Sequence, residues 1–181
     1  MSNQNVCEKI LFSNEQITNE LKRLGNEITK DYEGKDIVFV SVLTGAFMFV
    51  ADLVRNVDLT SYIDFMQVST YENSTETSGD FVVKKDLTSD ITGKDVIIVE
   101  DILDTGFTLG NLVEYIKSKN PASVKIAAFI DKPARRKFDI SADYVGFTME
   151  DDYFIVGYGL DFAQKYRNLP YVGVLSEHLY K

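Results

Sequence analysis

The chain has 181 residues, 45% of them hydrophobic and 26% charged, a balance typical of one globular domain with a substantial core. Its formal net charge of −9 disfavours proteins that bind phosphate backbones or anionic membrane surfaces, so we expect neither a nucleic acid nor a membrane as partner. Small anions remain possible ligands because a few backbone amides and a metal ion can bind them locally.

The cysteine content predicts a reducing compartment. Cys7 is the only cysteine and His178 the only histidine, which excludes an internal disulfide and the usual zinc sites. The N-terminus lacks a basic segment followed by a long apolar stretch, and no apolar run reaches the roughly 20 residues of a membrane span. We therefore expect a cytoplasmic protein.

Hydrophobic periodicity predicts alternating helices and strands. An amphipathic helix over residues 14–30 follows Ser13, whose spacing to Gln16 is that of a capping box. A continuous β-branched run at 37–42 predicts a strand buried on both faces, and a helix over 46–56 follows it. The later predictions are strands at 61–70, 81–83, 96–99, 124–130, 144–147, 154–156 and 171–175, and a helix over 109–116.

This alternation predicts an α/β fold with a mostly parallel sheet and helices on both faces. Ligands of such sheets bind beyond the carboxyl ends of the strands, which directs attention to residues 43–46, 100–108 and 131–132. Residues 71–80 are polar after their first residue, and a linker, a disordered segment and a mobile lid all fit that composition.

The most informative segment is residues 96–108, VIIVEDILDTGFT. Glu100 and Asp101 follow the apolar strand and repel each other, so they need a neutralising partner such as ribose hydroxyls or hydrated Mg²⁺. The Thr-Gly-Phe-Thr sequence at 105–108 begins a helix, where free N–H groups and the helix dipole favour a phosphate. Such acids are often merely solvated and such threonines merely caps, but the whole string favours a phosphorylated sugar. GxxxxGK[ST] and GxGxxG are absent, which disfavours Walker-type ATP hydrolysis and Rossmann dinucleotide binding.

The segment resembles the phosphoribosyl pyrophosphate (PRPP) loop of type I phosphoribosyltransferases. Four further blocks are similar, in order along nearly the whole chain, to the bacterial 6-oxopurine enzymes of that family: LTGAFMF at 43–49, DKPARR at 131–136, FIVGYGLD at 154–161 and YRNLP at 166–170. The resemblance implies the type I fold over one domain, residues 1–181, with a central sheet flanked by helices. It also implies a small hood from the N-terminal segment and residues 150–170, and a flexible lid at 70–81.

The resemblance implies a role for each matching residue. Asp104 would be the general base for the N7 proton of the purine. Glu100 and Asp101 would bind the ribose hydroxyls directly or through Mg²⁺, and Asp161 would join the Mg²⁺ sphere. The implied contacts of the 5-phosphate are Asp104, Thr105, Gly106, Phe107 and Thr108, and those of pyrophosphate are Leu43, Thr44, Gly45 and Arg167. The implied contacts of the purine are Lys132, Phe154 and Ile155. The lid would contain Ser69, Thr70 and Tyr71.

Two of these residues have a common structural interpretation when taken alone, and two differ from the residues usual in the family. Lys132 by itself is typical of a surface lysine, and Phe154 of a core aromatic residue. The family often has a non-proline cis peptide at the position of Leu43-Thr44. Thr44 stands where many relatives have Lys or Arg, and Phe107 occupies a position that is basic in some members. At Thr44 the backbone contact with pyrophosphate could survive without the charge of a Lys or Arg side chain. Phe107 cannot pair with a phosphate, so affinity there would rest on backbone amides and hydroxyls.

The activity implied is transfer of the phosphoribosyl group from PRPP to N9 of hypoxanthine, and of guanine, with release of pyrophosphate. The implied cofactor is Mg²⁺, the substrates are PRPP and a 6-oxopurine, and the assembly is a homodimer or homotetramer. Alternatives are another acceptor (xanthine, adenine or a pyrimidine), a PRPP-sensing regulator that binds nucleic acid, and a sugar-phosphate-binding domain without catalysis. Lys132 favours a 6-oxopurine, and the net charge and Asp104 disfavour the regulator.

Overall fold

A computed structural model describes residues 6–71 and 80–180. None of the helices in this part of the chain is long and apolar enough to cross a membrane. The elements are the strands β1 (Cys7–Phe12), β2 (Ile37–Val42), β3 (Ser61–Tyr71), β4 (Asp80–Lys85), β5 (Asp95–Leu103), β6 (Ser123–Asp131), β7 (Tyr144–Thr148), β8 (Ile155–Val156) and β9 (Val172–Leu175), the helices α1 (Asn14–Asp31), α2 (Phe47–Arg55) and α3 (Phe107–Lys117), and 3-10 turns at Pro133–Arg135 and Glu177–Leu179.

The central sheet has six strands in the order β4-β3-β2-β5-β6-β7. Every neighbouring pair is parallel except β3 and β4, which are antiparallel. The mostly parallel α/β sheet predicted from the alternation of helices and strands is therefore confirmed.

Helices cover both faces of this sheet, as the composition of β2 predicts. Ile37 and Phe39 point to the face that packs against α1 and α2. Val38 and Val40 point to the opposite face, which packs against α3. All four side chains are fully buried. A strand covered on both faces has no solvent side, which is why its sequence is continuously apolar rather than alternating.

Helix α1 begins where the capping box predicts. The Gln16 amide donates to Ser13 Oγ at 3.2 Å, and the Ser13 amide donates to Gln16 Oε1 at 2.8 Å. Two of the first-turn N–H groups that lack intrahelical partners are thereby satisfied. The buried face of the helix carries Ile17, Leu21, Leu24 and Ile28.

The buried carboxylate of Asp64 on strand β3 accepts hydrogen bonds from the segment that follows β4. Asp64 is 3% exposed and accepts hydrogen bonds from the amides of Phe65, Thr88 and Ser89, each at 2.8 Å. Burial alone would raise the pKa of Asp64, but these donors outweigh it and hold the pKa below its ordinary value. The carboxylate is therefore a structural group of the folded protein.

A second, antiparallel sheet of three strands, β1-β9-β8, forms the hood. The sequence analysis predicted no strand at β1, and it placed Phe154 inside a strand that in fact begins at Ile155. These two predictions were wrong because short strands lack a measurable period. The hood brings both ends of the described chain to one side of the molecule.

The prediction that the central apolar strand ends at residue 99 was also wrong. Pairing of β5 with β2 stops at Val99, but pairing with β6 continues as far as Leu103 opposite Asp131. Glu100 and Asp101 therefore lie within the strand, where it extends past its neighbour on one side. Their backbone is fixed by the sheet and not by a loop.

Candidate active site

Burial disfavours the charged forms of both carboxyls of the acidic pair on β5, Glu100 and Asp101. Burial, followed by the charge of Asp101, raises the pKa of Glu100 well above its ordinary value. Burial also raises the pKa of Asp101, although the Ile102 amide donates to Asp101 Oδ1 at 3.0 Å. Two partly buried carboxylates of this kind are stabilised by a cation or by hydroxyl donors.

The loop after β5 turns sharply into helix α3. Gly106 caps the helix with a positive φ of 85°, and a Cβ there would lie 2.5 Å from Ile140 Cγ2. The Thr105 carbonyl accepts from the amides of Lys137 and Phe138 at 3.0 and 3.2 Å, which fixes the loop. A cavity of about 140 Å³ opens at the N-terminus of α3. This arrangement suits a phosphate, because backbone amides and the helix dipole point toward it.

A larger cavity of about 480 Å³ adjoins this one. Ile102 and Asp104 line both cavities, so the Asp104 side chain lies between them. One wall comes from β5 and its loop, and the other from the hood and the segment after β6. The lining residues of the larger cavity are Asp101, Ile102, Asp104, Lys132, Arg135, Asp152, Tyr153, Phe154, Ile155, Leu160 and Asp161.

Lys132 and Phe154 both line the larger cavity, and the exposure of each side chain differs from what its residue type alone predicts. Lys132 is only 6% exposed, and its Nζ donates to the Tyr153 carbonyl at 3.2 Å. Phe154 is 45% exposed, with its ring at the cavity. The surface-lysine and core-aromatic interpretations are therefore both wrong. Ile155 is buried in β8 and also lines this cavity.

Two arginines that the sequence analysis did not single out hold Asp104. Arg135 Nε lies 2.7 Å from Asp104 Oδ1, and its Nη1 lies 2.6 Å from Asp152 Oδ1. Arg136 donates through Nη1 to the Asp104 carbonyl at 2.8 Å. The only sequence signal was the basic pair in DKPARR, which does not reveal which acids it meets. Arg135 thus links the two walls of the larger cavity.

The predicted pyrophosphate loop lies against the acidic pair. The Leu43-Thr44 peptide bond is cis, as the resemblance implied. A Cβ on Gly45 would lie 1.7 Å from Asp101 Oδ2, and a Cβ on Gly159 would lie 2.4 Å from the Gly45 carbonyl oxygen. The backbone at Gly45 is therefore packed between Asp101 and the turn that contains Gly159, with no room for a side chain.

Arg167 and Asp161 bind each other. Arg167 Nη2 lies 2.7 Å from Asp161 Oδ1, and Arg167 Nη1 donates to the Gly159 carbonyl at 2.6 Å. No group of three or more His, Cys, Asp or Glu side chains within residues 6–71 and 80–180 is placed to hold a metal. Asp161 therefore does not form a protein-only metal site with Glu100 and Asp101. The acidic pair still fits Mg²⁺, which usually takes one or two carboxylates and completes its shell with water and substrate oxygens.

The predicted lid residues are described only in part. Ser69, Thr70 and Tyr71 end β3, with Thr70 opposite Phe81 and Tyr71 opposite Asp80 on β4. Residues 72–79 of the predicted lid lie outside the described residues.

A mostly parallel sheet that carries an acidic pair on its central strand, directly before a glycine-containing turn into a helix and beside a separate hood, is the architecture of a phosphoribosyltransferase. The family model described as "Phosphoribosyl transferase domain" matches residues 9–163, and the chain belongs to this family.

Within this family, the chain is similar over almost its whole length to hypoxanthine-guanine phosphoribosyltransferases. The chain is 48% identical over 177 residues to the hypoxanthine-guanine phosphoribosyltransferase of Streptococcus pneumoniae strain R6, covering 98% of each chain. It is 47% identical over 174 residues to the protein of the same name from Bacillus subtilis strain 168, covering 96% of each. A crystal structure of a hypoxanthine phosphoribosyltransferase from Staphylococcus aureus matches with a TM-score of 0.94 at 47% identity, covering 98% of this chain and 96% of that one.

Proposed function

We propose that this protein transfers the 5-phosphoribosyl group of PRPP to N9 of hypoxanthine, and also of guanine, and releases pyrophosphate. The observation that carries the proposal is the pair of adjoining cavities with Asp104 in their common wall. One cavity suits a phosphate and the other a flat base, so a sugar would span the boundary between them. The names of the relatives that align over almost the whole chain support the same reaction.

The sugar-binding side holds the group that is transferred. The amides at the start of α3 bind the 5-phosphate, while Glu100 and Asp101 accept hydrogen bonds from the ribose hydroxyls. Fixing both ends of the ribose positions C1′ between the base and the leaving pyrophosphate. Gly45 presents backbone to the pyrophosphate.

The base-binding side orients the purine and receives its proton. Phe154 stacks on the ring, and Lys132 Nζ donates to the 6-oxo group, which selects against the amino group of adenine. Asp104 accepts the N7 proton as N9 attacks C1′. Arg135 Nε lies 2.7 Å from Asp104 Oδ1, so its positive charge stabilises the carboxylate form that accepts the proton.

Mg²⁺ would be held by the acidic pair together with substrate oxygens, and when bound it neutralises the leaving pyrophosphate. The carboxylates themselves are positioned by β5, whose pairing with β6 continues past both residues.

A turnover assay with PRPP and Mg²⁺ tests the proposal. Hypoxanthine, guanine, xanthine and adenine are offered separately, with and without a chelator. Conversion of hypoxanthine and guanine that chelation abolishes is the expected result. Conversion of xanthine or adenine alone would show a different acceptor, and no conversion of any base would overturn the proposal.

Asp104→Asn tests the proposed base directly. We expect kcat to fall by roughly 10²–10⁴-fold, the usual contribution of general acid–base catalysis, while PRPP binding is retained. Asp151→Asn is the matched control, since Asp151 is an exposed carboxylate near the same cavity for which the described residues provide no ion pair. An Asp104→Asn enzyme with the kcat of the wild type would remove Asp104 from proton transfer.

A further inference from the structure

The C-terminal segment places a second aromatic ring against Phe154. The Tyr180 ring stacks on the Phe154 ring with a centroid distance of 5.4 Å and an interplanar angle of 24°. Phe162 packs edge-on against Phe154 at 5.6 Å and 87°, and it also contacts Tyr180 at 6.4 Å and 64°. These three rings, Phe154, Phe162 and Tyr180, form the aromatic cluster of the hood.

Only one member of the aromatic cluster reaches the larger cavity. Among the described residues that line it, Phe154 is present, whereas Phe162 and Tyr180 are absent. Tyr180 therefore covers the side of Phe154 that is turned away from the cavity. Without Tyr180, the half-exposed phenyl ring would keep only its T-shaped contact with Phe162 within the cluster and would have a wider choice of rotamers.

Tyr180 is itself held in place by the hood. The Ser176 amide donates to the Val6 carbonyl at 2.9 Å, and the Glu177 amide donates to Glu8 Oε1 at 2.8 Å. Leu179 packs into a small apolar cluster under the same sheet. The residues before Tyr180 are thus fastened to the N-terminal strand.

The backbone of Phe154 is fastened to the same sheet. The Leu175 amide donates to the Phe154 carbonyl at 2.8 Å. Both stacked rings are therefore attached to the same sheet by backbone hydrogen bonds. A ring fixed in advance binds a flat partner with less loss of entropy than a mobile ring.

We propose that Tyr180 is a positioning residue for the acceptor base: it holds the Phe154 ring in the orientation that stacks on a purine. This proposal rests on the proposed function. It assigns the C-terminal segment a role in affinity for the base and none in binding PRPP. Most of the predicted PRPP contacts lie on β5, at the start of α3 and after β2, in the central domain. The other two, Asp161 and Arg167, lie in the hood and form an ion pair with each other.

Steady-state kinetics of four enzymes test the proposal: wild type, Tyr180→Ala, Tyr180→Phe and Phe154→Leu. Tyr180→Ala is expected to raise the KM for hypoxanthine by about 3- to 10-fold, the equivalent of one aromatic pair. The KM for PRPP should stay within about twofold of the wild-type value, because an aromatic pair has no long-range field. Tyr180→Phe keeps the ring and should retain the wild-type KM for hypoxanthine.

The double variant Tyr180→Ala/Phe154→Leu separates action through Phe154 from direct action on the base. If Tyr180 acts through Phe154, removing Tyr180 in the Phe154→Leu background causes no further rise in the KM for hypoxanthine. A further rise as large as in the wild-type background would overturn the proposal. So would an unchanged or lowered KM for hypoxanthine in Tyr180→Ala, or an equal rise in both KM values. Wild-type enzyme that converts no purine would contradict the proposed function instead.

Discussion

Replacing Gly45 by alanine puts a methyl group where the Asp101 carboxylate now lies. The added Cβ would be 1.7 Å from Asp101 Oδ2 and 2.4 Å from its Cγ. Carbon and oxygen atoms in folded proteins do not approach closer than about 3.0 Å without a bond, so the carboxylate must retreat by more than 1 Å. The loop cannot readily move instead, because the Gly45 carbonyl is backed by Gly159.

The displacement falls on the group that we propose binds the ribose hydroxyls. A misplacement of about 1 Å in a positioning group costs on the order of 10²-fold in rate. Overpacking of a filled site adds a loss of roughly 1–3 kcal/mol in the free energy of unfolding. We therefore expect Gly45→Ala to lower kcat/KM for PRPP by about 100-fold, with a smaller change in the KM for the purine.

Gly110→Ala is the matched control. Gly110 lies in α3, and a Cβ there would meet no atom within 4 Å. Alanine should stabilise that helix by about 1 kcal/mol and leave kcat/KM unchanged. Initial rates at varied PRPP concentration and a thermal melt of each variant provide the measurement. A Gly45→Ala enzyme with the wild-type kcat/KM for PRPP would refute the packing argument.

Two further predictions concern carboxylates that the sequence did not show to be paired. Asp64→Asn should reduce the free energy of unfolding by about 2 kcal/mol at pH 7, because a charged acceptor of three amides is lost. Since the folded-state pKa of Asp64 is lowered, its contribution is present above its ordinary pKa and disappears as pH falls through the folded value. The free energies of unfolding in urea of the two proteins should therefore converge at pH values below the ordinary range of a carboxyl pKa, and a constant difference would contradict this origin. Arg135→Gln should raise the KM for hypoxanthine roughly 10-fold by freeing Asp104 from its link to Asp152. Arg135→Gln should barely change the melting temperature, since half-exposed ion pairs contribute little to stability. The control Lys137→Gln, on the same segment, should change neither the KM for hypoxanthine nor the melting temperature. An Arg135→Gln enzyme with an unchanged KM for hypoxanthine would show that the ion pairs of Arg135 with Asp104 and Asp152 are dispensable.

Local patterns predicted most of the central domain. The run at 37–42 is apolar at every position except Ser41 because β2 is covered on both faces, and the Ser13–Gln16 pair determines where α1 starts. The start of α3 after Gly106 was equally readable, since a helix start that follows an apolar strand needs only neighbouring residues. These features depend on contacts within one element or between adjacent ones.

The features that the sequence did not predict depend on contacts between segments that are distant along the chain. Whether β5 stops at residue 99 or continues to Leu103 is decided by β6, which offers partners where β2 does not. Nothing near Arg135 in the sequence identifies Asp152 as its partner. The stack of Tyr180 on Phe154 likewise requires the whole hood to be in place before the two rings can meet.

The hood has a consequence for how the molecule is made. Strand β1 ends at Phe12, yet its partner β9 begins only at Val172, so almost the whole chain must be synthesised before the two can pair. Contacts of such long sequence separation close late in folding, because their loop entropy is lost before they are stabilised. On the ribosome the phosphate-binding turn can form while the wall for the base is still missing. The part of the protein that we propose recognises the acceptor is therefore assembled last.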